Sequence, residues 1–511
     1  MKLSFNNRQK QNLLFFIFSF LSSFLLLMIC SRSSFLYPMN DWVDAQCFFT
    51  VGKAMGNGQV VYRDIFEQKG VLLYFLHMFA YFISHTTFIG VFLLEVVAGT
   101  FFMFYNIKIV SLYTDLRYAI VVSGLCSVLI YSSRAFCKGD SAEELCLPFL
   151  AFGLYCSTKA FRSGKWLTDK ELFAIGIVSA CVLWIKYTML GFFIGWIIVP
   201  VIWLIKEKQW KTIGKTFLYI LLGVAVVTVP VVICFAYHHS LPYLWEVYFY
   251  KNMVSYSNTG ENVTFAEKSK IIFDNIYKFT RVSLTDNYKR FTGILCIGFL
   301  GMLFVRGKKQ KISLYILFFT MVTFIFGGGN GYVYYSVPLS IFTVFGFIAV
   351  YLWIRFLWKK VTKKNTVFVK GKYTVIVAVI TVLISVPGAY FLSYNTEFMK
   401  TKQEDLVQYQ FKEIIEKEKN PTLLNVGFLD SGFYTVCDIV PNCRYFCKLN
   451  SAYKEVYEGQ MAYIEQRKGT FIVAIDTEID SGAYEKIAER TVFYDESKKD
   501  KIYRLYKRKS I

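Results

Sequence analysis

Between an apolar run that ends near Cys30 and another that begins at Gly70, the chain places Asp41, Asp44, Asp64, Glu67 and Lys69. Carboxylates confined to one short segment can act as a general base, as ligands to a cation, or as holders of a polar substrate. A second acidic group follows in "GDSAEELCLPFL" (139–150), with Asp140, Glu143 and Glu144 just ahead of Pro148. Cations lie near it in sequence: Arg134 and Lys138 precede it, and Lys186 sits inside the apolar "LWIKYTML". Acids in an arbitrary loop are usually just solvated, so their meaning depends on what holds them.

What holds them is membrane. The 511 residues are 55% hydrophobic and 19% aromatic, with a mean hydropathy of +0.41, a balance soluble domains seldom reach. Apolar runs long enough to span a bilayer recur from residue 13 to about residue 392. The first, Leu13 to Cys30, follows basic residues but has no small-residue cleavage site after it, which marks a retained anchor. The net charge of +21 does not indicate nucleic acid, because much of the excess lies in short loops such as "KAFRSGK" (159–165), "KEKQWK" (206–211), "RGKKQK" (306–311) and "KKVTKKN" (359–365). Basic short loops mark the cytoplasmic side.

Placing those loops and residues 1–12 inside puts 31–69, 134–143, 238–289, 327–335 and everything after about 393 outside. The segment 70–84 has only about fifteen residues, short of a full span, and is expected to be partly inserted. The expectation is an all-α multi-pass membrane domain over 1–392, with about eleven crossings plus that segment, and an extracytoplasmic α/β domain over 393–511. In this tail, "QYQFKEIIEKEK", "YKEVYEGQMAYIEQ" and "AYEKIAER" read as helices, and "TLLNVGF", "TFIVAID" and "TVFY" as strands of a mostly parallel sheet. Nine of the twelve cysteines lie in or beside apolar segments; Cys437, Cys443 and Cys447 in the tail allow one disulfide and a spare thiol. "GGGNG" (327–331) lacks the Lys-Ser/Thr of a phosphate loop and reads as an outer turn. His77, His85, His238 and His239 show no zinc spacing.

Within the first outer loop, "VDAQCFFTVGKAMGNG" reads as a short interfacial helix with Phe48, Val51 and Met55 on one face, stopped by "GNG". The longer stretch "DAQCFFTVGKAMGNGQVVYRDIFEQKGVLLYF" resembles the first-loop signature of polyprenyl-phosphate-sugar-dependent glycosyltransferases of the GT-C superfamily, which includes protein O-mannosyltransferases, the lipid A aminoarabinose transferase and Gram-positive envelope relatives. Asp44 falls on the opening acid, Tyr62 and Asp64 on "Y-x-D", and Glu67 and Lys69 on the acid and lysine that open the next apolar segment. The chain departs from that signature in two places: Ala45 stands where the family often has Glu, and Gly70-Val71 where it often has one or two prolines. "GDSAEELCLPFL" matches the acidic second outer loop, Glu144 fitting best, and the tail phrase "NVGFLDSGFY" resembles Gram-positive members.

The resemblance implies transfer of a sugar from an undecaprenyl-phosphate-type donor to an envelope glycan, lipid or protein acceptor, teichoic acid included, with inversion. It implies Asp44, Glu67 and Glu144 as catalytic residues, Asp44 being the base. Lys69, Lys186 and Arg134 are the candidates to neutralise the lipid phosphate, with snorkelling an equal reading of Lys186. Asp41, Tyr62, Asp64, Tyr334 and Tyr335 are candidates for substrate contact. Some relatives share a divalent cation between the two loops; Asp44, Asp140 and Glu144 would hold Mg2+ or Mn2+ here. The aromatic loop 238–289 reads first as a membrane-interface belt and second as an acceptor surface. Other readings stay open: a transporter or flippase of lipid-linked sugars, an outer-face polysaccharide polymerase or ligase, or a scaffold whose tail binds a partner.

Overall fold

The computed structural model describes residues 7–256, 264–327, 330–362, 373–449, 453–494 and 499–510. Parts of three expected features therefore lie outside the described residues: 257–263 of the aromatic loop, 328–329 of "GGGNG", and 363–372 of a basic loop. The chain divides into two compact units. The first comprises Met1–Ser31, Glu95–Val231 and Glu261–Thr396; the second comprises Arg32–Leu94, Val232–Gly260 and Glu397–Ile511. The expected cut at 392/393 falls close to one of these boundaries, but the second unit also draws in the first outer loop and part of the aromatic segment.

Among the described residues, nine α-helices run from Asn7 to Tyr237: α1 (Asn7–Cys30), α2 (Val43–Gly56), α3 (Val71–Ile83), α4 (Ile89–Ser111), α5 (Leu116–Tyr131), α6 (Ala142–Ser163), α7 (Asp169–Ile185), α8 (Gly191–Lys206) and α9 (Trp210–Tyr237). Further long helices span Phe265–Ser283, Lys289–Gly301, Lys308–Gly327, Val344–Thr362 and Thr374–Leu392. Among the described residues, seven helical stretches are long and apolar enough to cross a bilayer, from Gln9–Cys30 to Thr374–Leu392. The helix α3, at 13 residues, reaches only about 20 Å and is the short segment expected there. Local chemistry sets several boundaries. Asp115 caps α5 by accepting from the N–H groups of Arg117 and Tyr118, and Ser141 caps α6 by accepting from Glu144 N at 2.9 Å.

The segment expected as an aromatic outer loop is largely helical: Leu244–Tyr256 is wound mostly as π-helix and Phe265–Ser283 is α-helical. Its Tyr248 is buried against Tyr62 rather than standing at a surface, whereas Trp245 is exposed.

The tail carries a four-stranded sheet of β1 (Leu423–Val426), β2 (Phe471–Ile475), β3 (Tyr484–Tyr494) and β4 (Lys499–Arg508), in the order β1-β2-β4-β3. Only β1 and β2 are parallel; β2–β4 and β3–β4 are antiparallel, so the expectation of a mostly parallel sheet is wrong. So is the helix expected at "AYEKIAER". Those residues form most of β3, zipped to β4 from Tyr484–Arg508 to Tyr494–Lys499 with one bulge between Lys486 and Ala488. A long partner strand, supplying the backbone bonds, outweighs the helical propensity of Ala, Glu and Lys on this exposed edge. The expected helices at Val407–Ile415 and Lys454–Glu465 and the strands β1 and β2 are present.

Candidate functional site

In the second unit the segment expected as the first outer loop is a built structure, not a solvated one. Asp44 occupies the first turn of α2, where the unsatisfied N–H groups of a helix favour negative charge, and it is buried. The helix ends at Gly56, as "GNG" predicts, but it is not an amphipathic helix on an interface: every residue from Asp44 to Ala54 is buried. Phe48 and Val51, expected on an interfacial face with Met55, are instead buried within the protein, Phe48 meeting His77 edge-on. The polar residues Gln46, Thr50 and Lys53, spaced along one helical face, are received by the tail. Thr435 Oγ1 donates to Gln46 Oε1 at 2.6 Å, Thr50 Oγ1 donates to Asp430 Oδ2 at 2.6 Å, and Lys53 Nζ donates to Tyr434 O at 3.0 Å and Asp438 Oδ1 at 2.9 Å. Lys53 has no solvent exposure, and burial pulls its pKa down while Asp438 pulls it up. The phrase "NVGFLDSGFY" thus has a physical role. Gly432, at φ +100°, brings the backbone so close to α2 that a Cβ there would lie 2.5 Å from Met39 Cε and 3.0 Å from Gln46 Nε2.

The "Y-x-D" turn spends its polar groups on itself. Tyr62 takes a left-handed φ of +70°, is fully buried and donates its hydroxyl to Lys69 O at 2.6 Å. Asp64 accepts from Val60 N at 2.8 Å and from Arg63 Nε and Nη2 at 2.8 and 2.9 Å. Arg63 holds the Asp64 carboxyl below its ordinary value, with the Val60 N–H adding to the effect. Asp41 is paired with Arg32 at 2.6 Å. These three were expected to touch substrate; Tyr62 is fully buried, and the charges of Asp41 and Asp64 are matched by neighbouring arginines. Glu67 and Lys69 stay together: Tyr74 donates its hydroxyl to Glu67 Oε2, Lys69 N donates to the same oxygen at 2.9 Å, and Lys69 Nζ lies 3.9 Å from Glu67 Oε1.

In the first unit the second acidic group forms a nest. Gly139 and Asp140 both take left-handed φ values, +88° and +64°, and turn the chain so that Asp140 N donates to Glu144 Oε2 and to Glu95 Oε1, each at 2.9 Å. A Cβ at Gly139 would lie 2.2 Å from Ser31 Oγ and 2.4 Å from Glu95 Oε1, so only glycine fits. Ser31 Oγ donates to Glu95 as well. Glu144 lies against the Glu95 carboxyl, and its Oε1 is buried without a hydrogen-bond partner among the described residues. Pro148, lacking an N–H, leaves the Glu144 carbonyl without its usual helical donor. Glu95 was not foreseen. An acid in the apolar "GVFLLEVVAG" was the available signal, since ionisable residues within membrane helices are expensive and usually functional.

Glu143 faces elsewhere and is ion-paired with Lys186. Lys186 Nζ also sits 3.9 Å from the Tyr335 ring centroid, and all three residues are buried. Lys186 therefore does not snorkel. Arg134 is exposed and stacks over Tyr394 at 4.9 Å, while Tyr334 packs edge-on to Tyr335 at 4.6 Å. The tail cysteines are all free, and the partner that comes near is from far away in sequence: Cys447 Sγ lies 3.8 Å from Cys47 Sγ. Among the described residues no three His, Cys, Asp or Glu side chains converge in an arrangement that would hold the expected Mg2+ or Mn2+.

Residues 2–258 match the family model described as "Putative competence-induced protein Ccs4 N-terminal domain", just over half of the 511 residues. The chain belongs to this Ccs4 family. The Ccs4 match contains Asp44, the "Y-x-D" turn, the Glu95–Glu144 nest and Lys186. No curated protein matches the chain. Among solved structures, ArnT from Cupriavidus metallidurans bound to undecaprenyl phosphate superposes with a TM-score of 0.59 at 11% identity, covering 95% of this chain and 97% of ArnT. The apo state of ArnT gives 0.59 at 10% identity, covering 98% of each chain. At such identities the likeness establishes the fold: this Ccs4-family chain has the architecture of ArnT.

Proposed function

We propose that the chain is a GT-C-type glycosyltransferase that takes a sugar from a polyprenyl-phosphate donor at the outer membrane surface and passes it to a hydroxyl of an envelope acceptor. The observation that carries this reading is the likeness of nearly the whole chain to ArnT, a protein whose crystal structure holds undecaprenyl phosphate. The first-loop signature supports it separately, because it rests on residue types and not on shape.

In this reading Asp44 accepts the proton of the acceptor hydroxyl. The oxygen attacks the anomeric carbon opposite the phosphate, the bond to the phosphate oxygen breaks, and the configuration inverts. The departing phosphate gains charge and needs a cation. Lys69 is the better candidate: it keeps 18% of its side chain exposed, whereas Lys186 is buried and committed to Glu143. Glu67 orients Lys69 by accepting from its backbone N–H. The Glu95–Glu144 nest sets two buried carboxyl groups side by side in the first unit. The amino terminus is cytoplasmic and the tail extracytoplasmic; a reporter fused after Ile511 that is active only in the cytoplasm tests this, and activity would overturn the topology.

The reaction itself is tested with membranes containing the full chain, a polyprenyl-phosphate sugar labelled in the sugar, and a lysate fraction of envelope polymers. Label entering polymer, with free polyprenyl phosphate released in equal amount, is the expected result. Label that changes leaflet while still attached to lipid would replace transfer by transport.

A further inference from the structure

The first unit contains a cavity of about 450 Å3 where one end of α8 meets the start of the helix Lys308–Gly327 and the Gly164 cap of α6. Both Tyr187–Lys206 and Lys308–Gly327 are long and apolar enough to cross a bilayer, so their ends at Lys206 and Lys308 lie at headgroup depth. The basic loops "KAFRSGK" and "RGKKQK", which the topology explained only as a sidedness signal, supply its rim.

The lining has two characters. Lys165, Arg306 and Lys308 border the cavity and are exposed, and their side chains have no ion-pair or hydrogen-bond partner among the described residues. A fourth cation, Lys309, is neutralised by Glu207 at 2.8 Å and lies 4.7 Å from the Trp203 ring. The remaining wall is apolar and aromatic: Trp166 and Trp203 are half-buried, and Leu204 is buried behind them. Trp166 is fixed by an indole N–H bond to Thr216 Oγ1 at 2.9 Å.

The geometry points to a binding site for the phosphate headgroup of an anionic phospholipid. Three unmatched cations around one concavity are suited to a phosphate, and basic pockets between membrane helices bind such headgroups. The tryptophans and the apolar wall favour an amphiphile over a free anion, because indole rings rest at the boundary between headgroup and acyl chain. The volume falls within the usual range for small-molecule sites. The site is separate from the acids and lysines assigned to transfer and does not depend on that reading.

The test uses the full-length protein in nanodiscs of phosphatidylcholine with one-fifth phosphatidylglycerol, followed by native mass spectrometry of the released protein. Wild type should retain phosphatidylglycerol preferentially. The Lys165→Gln/Arg306→Gln/Lys308→Gln variant should retain about tenfold less or below. A charge-matched control at Lys10, Lys170 and Lys211, none of which lines the cavity, should behave as wild type. If the triple variant does not assemble, Arg306→Gln alone carries the test, with an expected loss of about fivefold. Equal retention in the cavity variant and the control would overturn the site. Displacement of the lipid by millimolar inorganic phosphate would overturn the lipid as its occupant.

Discussion

In the second unit, the acids of the first loop meet partners close by in sequence: Asp41 meets Arg32, Asp64 meets Arg63, and Glu67 meets Lys69 and Tyr74. In the first unit, the acids of the nest meet partners far away: Glu95 is reached from Ser31 and Asp140, and Glu143 from Lys186. The first arrangement can form as soon as the turn closes. The second exists only after several helices have packed, and it places acidic side chains together in a dry setting where an unmatched group costs most. The acid pairs of the loop are thus local, whereas the nest is a device maintained by the bundle. Disturbing the two should therefore have consequences of different size.

The sharpest break is expected at the bundle. Lys186→Ala leaves Glu143 buried and unpaired and should cost roughly 3–5 kcal/mol of stability. The double variant Lys186→Met/Glu143→Gln should recover most of it, read as thermal unfolding of the detergent-solubilised protein. Equal losses in the single and double variants would mean that the pair is not what holds Tyr335 and its surroundings.

A smaller effect is expected where the tail receives α2. Asp430→Ala removes the acceptor of Thr50 Oγ1 and Gly432 N in a buried place and should cost about 1–3 kcal/mol. Asp430→Asn, which keeps an acceptor for Gly432 N, should cost clearly less. The same unfolding measurement separates them, and equal costs would show that the charge and not the hydrogen bonding matters.

The smallest effects should appear with pH and run in opposite directions. Burial pushes the Asp430 carboxyl above its ordinary value, so its contribution is fullest in acid and declines as pH rises through and beyond the usual carboxylate range. Asp64, held below its ordinary value by Arg63, contributes above that range and loses its hold on Val60 N as pH falls through its depressed value. Hydrogen exchange corrected for intrinsic rate should show acid loosening peptides around 60–65 before it loosens those around 46–54. The reverse order would undo the contrast.

Much of the local structure could be read from residue patterns. The helix after Asp44, its stop at "GNG", the short α3 and the tail strands "TLLNV" and "FIVAI" followed from periodicity and glycine placement. Three things could not be read that way. The polar face of α2 is buried by residues some 380 positions later, and no local rule links Thr50 to Asp430. "AYEKIAER" has helical composition, but its state is decided by pairing with β4. Tyr62 and Asp64 match a signature of substrate-facing loops, yet the backbone turn they hold consumes their polar groups. Glu95 is legible in the sequence as a lone acid in an apolar helix, although nothing local links it to Ser31 or Asp140.

The central claim rests on Asp44 as the group that takes the acceptor's proton. The most direct test is Asp44→Asn in the labelled-sugar assay, with membrane insertion and expression measured in parallel. The account predicts a normally inserted protein that leaves the donor lipid intact and the polymer unlabelled. Near-normal labelling of polymer by that variant would contradict it.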